Sequence, residues 1–102
     1  MNEEKIPTAR TENLTKHSEL KDTIELMTSN DYKDRFIAEY YQLLIRYDKL
    51  GNLIGLYYEY KLLRQEPPMF DCPIEILNMQ YEAMEKLLDI LVIRAKIENI
   101  EL

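Results

Sequence analysis

Residues 31–65 read DYKDRFIAEYYQLLIRYDKLGNLIGLYYEYKLLRQ, and this stretch decides the fold. Phe36, Tyr40, Leu43, Tyr47, Leu50, Ile54 and Tyr57 follow one another at alternating spacings of 4 and 3. That alternation is a heptad seam, the signature of a helix that lays one edge against another helix. The spacing predicts a helix over about 31–65, stopped by Pro67 and Pro68, since proline lacks the amide donor and restrains the residue before it. Working outward, Ile74, Leu77, Tyr81, Met84, Leu88, Leu91 and Ala95 form a second seam at spacings of 3 and 4. It predicts a helix over about 73–100, with Pro73 in its first turn and Glu75 at its positive end. A connection of about eight residues makes the two antiparallel neighbours. Upstream, Leu20, Ile24 and Met27 fit a short amphipathic helix over 17–28, with Ser18 as a candidate cap. Residues 1–16 are polar, lack a period and read as a flexible lead-in before a single helical domain, 17–102. The fold class is all-α: a long αα-hairpin with a short N-terminal helix.

Two helices cannot cover all the apolar side chains. Ile37 and Leu44 flank the first seam, and Leu87, Ile90, Ile93 and Ile97 lie off the second. A stripe that wide needs another element or another chain, so these six are the expected interface of a homo-oligomeric bundle.

Composition excludes several function classes. The chain of 102 residues has 13 Lys and Arg against 19 Asp and Glu, a formal charge of −6, which argues against direct double-stranded DNA binding. The imbalance is uneven: residues 31–66 carry 6 bases and 6 acids, whereas residues 67–102 carry 3 and 7. One cysteine, Cys72, and one histidine, His17, leave no material for a disulfide framework or a metal cluster. We expect no metal, no cofactor and no catalytic residue, and hence no enzyme. The start, MNEEKIPTARTENLTKH, lacks a signal-peptide core, the tail IENIEL lacks a lipidation signal, and no apolar run is long enough for a membrane span. A cytoplasmic protein with no membrane partner is the expectation.

The remaining candidates each have a simpler reading. Cys72 precedes a proline at a helix start, where the dipole favours a thiolate, yet a packed or capping cysteine needs no such role. His17 reads as a surface residue. Glu75, Glu82, Glu85 and Asp89 share one face of the second helix, which is solvated or offers an acidic surface to a protein with a basic groove. Gly51 and Gly55 form a Gly-x-x-x-Gly pair that marks a bend or a close approach. The chain has eight tyrosines. Those on the seams belong to packing, whereas Tyr32, Tyr41, Tyr58 and Tyr60 are candidates to present rings to a planar ligand. With the turn centred near residue 69, Arg46 and Arg94 come to a similar height. Arg94 pairs with Glu39 in the simple case. In an oligomer, Arg46, Arg94 and Lys96 from several chains supply forks for a phosphate or carboxylate. The candidate ligand set is therefore Tyr41, Arg46, Tyr58, Tyr60, Arg94 and Lys96.

Residues 27–102 also resemble a family of short phage and prophage proteins catalogued with crAss-like phages. The likeness is carried by Cys72-Pro73, by Gln80 with Ala83-Met84, and by Arg94-Ala95-Lys96-Ile97-Glu98, and it breaks at GNLIGLYYEYKLL. The resemblance implies a phage-encoded accessory protein acting in the bacterial cytoplasm, where small non-enzymatic phage proteins oppose host defences. Three functions follow as expectations. The first is a sponge that sequesters a nucleotide-type immune signal between chains. The second is an acidic inhibitor of a defence enzyme such as a CRISPR nuclease. The third is a scaffold or assembly factor of the virion.

Overall fold

The computed structural model describes residues 14–102. A 3-10 turn over Leu20–Thr23 runs into α1 (Ile24–Met27), followed by α2 (Tyr32–Leu62) and α3 (Ile74–Glu98). No strand occurs among the described residues. At 1.5 Å per residue α2 is roughly 46 Å long and α3 roughly 37 Å, and the whole measures 61 × 23 × 20 Å. No described helix is long and apolar enough to cross a membrane.

The helix ends show why the elements stop where they do. Asp31 caps α2 by accepting from the Lys33 amide at 2.9 Å. Ser29 braces that start, donating to Asp34 and accepting from the Asp31 amide. At the other end α2 stops at Leu62, short of the expected residue 65. Arg64 adopts a left-handed conformation (φ 59°), its amide bonds to the Lys61 carbonyl, and the Gln65 amide reaches back to Tyr60. These two bonds satisfy the last carbonyls in the Schellman pattern, so the helix ends before the prolines can act. α3 closes in the same way: Asn99 is left-handed (φ 59°) and the Ile100 amide bonds to Ala95. Ile100 then folds back into the core beside Ala95. The expected helix over 17–28 is shorter and half of it is 3-10, and Glu19 rather than Ser18 precedes it, its amide donating to Asp22.

The hairpin has two unlike halves. Near the chain ends, Leu14 and Leu26 join Phe36, Ile37, Ala38, Tyr41, Leu91, Ala95 and Ile100 in one buried cluster. Ile45, Met84 and Leu88 extend the buried core along the hairpin. Thr23 is fully buried and anchors this layer. Its hydroxyl donates to the Leu20 carbonyl at 2.7 Å and accepts from Gln42 at 2.8 Å, so α2 holds the N-terminal segment by a satisfied buried bond. Lys16 and His17 also reach Asp48 of α2, at 3.8 and 3.6 Å. Toward the turn the third layer is missing. There the seam residues Tyr47, Leu50, Ile54, Tyr57, Ile74, Leu77 and Tyr81 are only half-buried.

Two expectations change here. Ile37 was expected at an oligomer interface, but the N-terminal segment already covers it, and Leu44 packs half-buried against the same cluster. Leu14, part of the expected lead-in, is core; residues 1–13 lie outside the described residues.

The glycine pair also divides. A Cβ on Gly51 would stand 2.8 Å from Tyr81 Oη and 2.9 Å from its Cε1, whereas one on Gly55 would meet nothing. Gly51 is therefore a close approach that lets the Tyr81 ring lie on the helix. Gly55→Ala is expected to raise stability by about 0.5–1 kcal/mol, the ordinary helix-propensity gain. Gly51→Ala displaces Tyr81 and gains less or loses; paired urea melts of the two variants measure the difference.

Candidate functional site

At the turn end, aromatic side chains gather. The Tyr57 and Tyr58 rings meet edge to face at 5.2 Å, Phe70 tilts toward Tyr57 at 6.3 Å, and Lys61 Nζ stands 5.7 Å from the Tyr57 centroid. Asn78 of α3 donates to the Tyr58 hydroxyl at 2.9 Å. Below these rings lies a recess of about 340 Å³ bounded by Tyr57, Pro68, Phe70, Cys72 and Ile74. Cys72 is a free, half-buried thiol. Glu66 and Glu75 also line the recess, so in a single chain its charge disfavours an anion.

Midway along the hairpin, Tyr47 and Tyr81 stack with centroids 4.3 Å apart and planes 7° from parallel. Hydrogen bonding to Tyr81, then burial and the nearby acids Glu85 and Asp89, push the Tyr47 phenol up to about 12. The folded value lies above the roughly 10 of a free phenol. The neutral ring's contribution is therefore complete below about pH 10 and is lost as pH rises toward 12. Titration of phenolate absorbance is expected to show Tyr47 among the late tyrosines, and Tyr81→Phe to bring it back toward the ordinary range.

At the chain-end half, Arg94 Cζ stands over the Phe36 ring, 4.7 Å from its centroid. Its Nε and Nη2 donate to the two Glu98 oxygens at 2.7 and 3.2 Å, and the Tyr32 hydroxyl donates to Glu98 at 3.0 Å. The guanidinium holds the Glu98 carboxyl below its usual range, and the same contact raises Arg94. This corrects the expected Arg94–Glu39 pair: Glu98, one turn along the same helix, takes the fork, and Glu39 acts only through its field.

The expected levelling of Arg46 with Arg94 also fails. Arg94 meets Phe36, ten residues before Arg46 on α2, or about 15 Å along the axis. At the turn end, by contrast, Tyr58 meets Asn78 close to the expected level, so the departure grows toward the chain ends. Arg46 and Lys96 are exposed and make no ion pair among the described residues. Tyr60 is half-buried on the last turn of α2. Tyr41 is 8% exposed in the core, edge to face with Tyr40, and burial raises its phenol. The chain's own packing therefore occupies Tyr41. Of the six candidates, Tyr58 and Tyr60 stand near the turn, Arg94 and Lys96 near the chain ends, and Arg46 between. One chain does not bring them together.

Glu75, Glu82, Glu85 and Asp89 are all exposed along α3. No group of three His, Cys, Asp or Glu side chains that could hold a metal occurs among the described residues. Sequence reasoning missed Asn78, whose partner depends on the register. It also missed Ile76 and Met79, which helical spacing links to Leu87, Ile90 and Ile97.

The model of one family, Sequestin, matches residues 30–97, which is 68 of the 102 residues. This chain belongs to the Sequestin family. The Sequestin match runs from the cap of α2 through the turn to the last turn of α3 and leaves out the N-terminal segment. It falls within the residues 27–102 that carry the likeness to short phage proteins, and it includes GNLIGLYYEYKLL. No curated protein and no solved structure matches the chain.

Proposed function

We propose that this chain is a non-enzymatic, phage-encoded protein of the bacterial cytoplasm that sequesters a nucleotide-type immune signal in a pocket shared between copies. The Sequestin match over both long helices carries this reading, because the family's name speaks of holding a molecule rather than converting it. The placement of side chains supports the shared pocket. Rings suited to stacking a base, Tyr58 and Tyr60, lie near one end of the hairpin, while the cations Arg94 and Lys96 lie near the other. Asn78 and Arg94 are sixteen residues apart on α3, about 24 Å, so one chain does not bring Tyr58 and Arg94 to one small ligand, whereas an assembly can. The exposed side chains of Leu87, Ile90, Ile93 and Ile97 supply a surface for that assembly.

The test is to size the purified protein, release bound small molecules by heat, and follow melting against a panel of mono-, di- and cyclic nucleotides. A nucleotide in the released fraction, or a concentration-dependent rise in Tm, is the expected result. No released nucleotide and no shift with any member of the panel would overturn it.

A second reading, an acidic inhibitor of a defence enzyme, draws on Glu75, Glu82, Glu85 and Asp89, four exposed carboxylates on one helix. It predicts capture of a basic host protein that weakens as salt is raised.

A further inference from the structure

We infer that the outer face of α3 receives a second copy of this chain, laid antiparallel about a two-fold axis near Leu87, so that each copy's Lys96 reaches the partner's Glu75. The pairing stands on the structure of the face alone; only its consequence for the ligand rests on the sequestering reading.

The face comes first. Ile76, Met79, Leu87, Ile90, Ile93 and Ile97 run along α3 away from its buried seam, and all are exposed, Ile97 at 73%. From Ile76 to Ile97 the stripe is about 32 Å long. These side chains expose on the order of 650 Å² per copy, beyond the few hundred that a soluble monomer ordinarily shows in one patch. Complete burial of the stripe on two copies would amount to about 1,300 Å², within the range of a standard stable interface. A second copy can cover the stripe along its length, since a two-fold contact sets one patch against itself.

Charge then fixes the direction. The acids Glu75, Glu82, Glu85 and Asp89 occupy the first part of α3, and Lys96 lies near its end, with Lys86 at the centre. A parallel pair would set acid on acid and Lys96 on Lys96. In the antiparallel pair, positions equally far from the midpoint of the stripe lie level. Lys96 then falls opposite residue 77, between the partner's Glu75 and the partner's Asn78, and Lys86 falls beside the partner's Glu85 and the partner's Asp89. Cations meet acids at both places.

This arrangement also changes the recess at the turn. Glu75 lines it and Asn78 holds Tyr58 beside it, but a single chain adds two acids and no arginine to its walls. The partner's Lys96 offsets Glu75 and stands level with Tyr58. A ring face and a cation from different copies thus flank one hollow, as a planar anionic ligand requires.

The test uses the full chain in a Cys72→Ser background. Ile76→Cys and Ile97→Cys chains are purified separately, then mixed and oxidised. A disulfide-linked dimer from the mixture, with neither variant cross-linking to itself, is the expected result. Self-cross-linking of Ile97→Cys would show a parallel or different contact and would overturn the proposal. So would a native chain that sediments as a monomer at micromolar concentration. Lys96→Glu is expected to weaken the pair about tenfold, and Glu75→Lys in the same chain to restore it. Failure of that rescue would overturn the register. If the mixed disulfide forms while no nucleotide binds, the pairing stands and the sequestering reading falls.

Discussion

Leu26→Ala is expected to lower the unfolding free energy by about 2–5 kcal/mol, the range for deleting most of a buried leucine side chain. Leu26 is 1% exposed and sits in the cluster with Phe36, Ile37 and Tyr41, under the N-terminal segment. A domain of this size has a total stability of order 5–10 kcal/mol, so the variant stands near the edge of folding. The loss is specific to the buried residue. Ile24 and Met27 flank Leu26 on the same short helix and are 51% and 44% exposed, so alanine at either changes stability by less than about 0.5 kcal/mol. Urea unfolding measures all three, with an unchanged slope showing that the effect lies in the folded state. A cost below about 1 kcal/mol for Leu26→Ala would mean that the segment before α2 does not dock. The point matters because this segment lies outside the residues that define the family match. The hairpin core is thus completed by residues that the family pattern does not include.

The heptad seams made the two long helices legible, because the spacing of Phe36 to Tyr57 and Ile74 to Ala95 reports directly which edge of each helix is buried. Helix ends were less legible. Arg64 is not a glycine, yet it takes the left-handed position that ends α2, and only the backbone bonds around it show this. That early stop lengthens the turn, yet Tyr58 still meets Asn78 near the expected level, and the departure grows toward the chain ends. There Arg94 meets Phe36 across the helices and Glu98 one turn along its own helix, rather than Glu39. Ile37 is expected at an oligomer interface and Tyr41 at a ligand because a seam identifies one neighbour at a time. A short 3-10 turn and a four-residue helix lack the periodicity to announce that they cover a second edge. The outer stripe of α3 was legible in its second half and missed at Ile76 and Met79. Those two lie beside the seam positions Ile74 and Leu77, which drew the apolar signal to the inner face.

Ile90→Glu is expected to separate assembly from folding. Ile90 is 52% exposed in the single chain, so a glutamate there leaves the hairpin intact and costs it less than about 0.5 kcal/mol. Across the antiparallel contact the same carboxylate lies within a few ångströms of the axis, where the partner presents an apolar surface. Removing an unpaired charge from water costs several kcal/mol, and the two-fold axis applies the cost twice. Dissociation is therefore expected to strengthen by at least about a hundredfold, since each 1.4 kcal/mol is a factor of ten. Sedimentation should show monomer at micromolar concentration, while circular dichroism keeps the helical signal of the native chain. The ligand response should disappear with the assembly, because the proposed hollow takes its ring and its Lys96 from different copies. Glu82→Lys, on the same helix but beside the stripe, keeps the apolar contact and serves as the control for a change of charge. If Ile90→Glu stayed associated and still shifted in Tm with nucleotide, the contact would lie elsewhere. The half-covered edge of α2 near Leu53 and Leu56 would then be the next surface to alter.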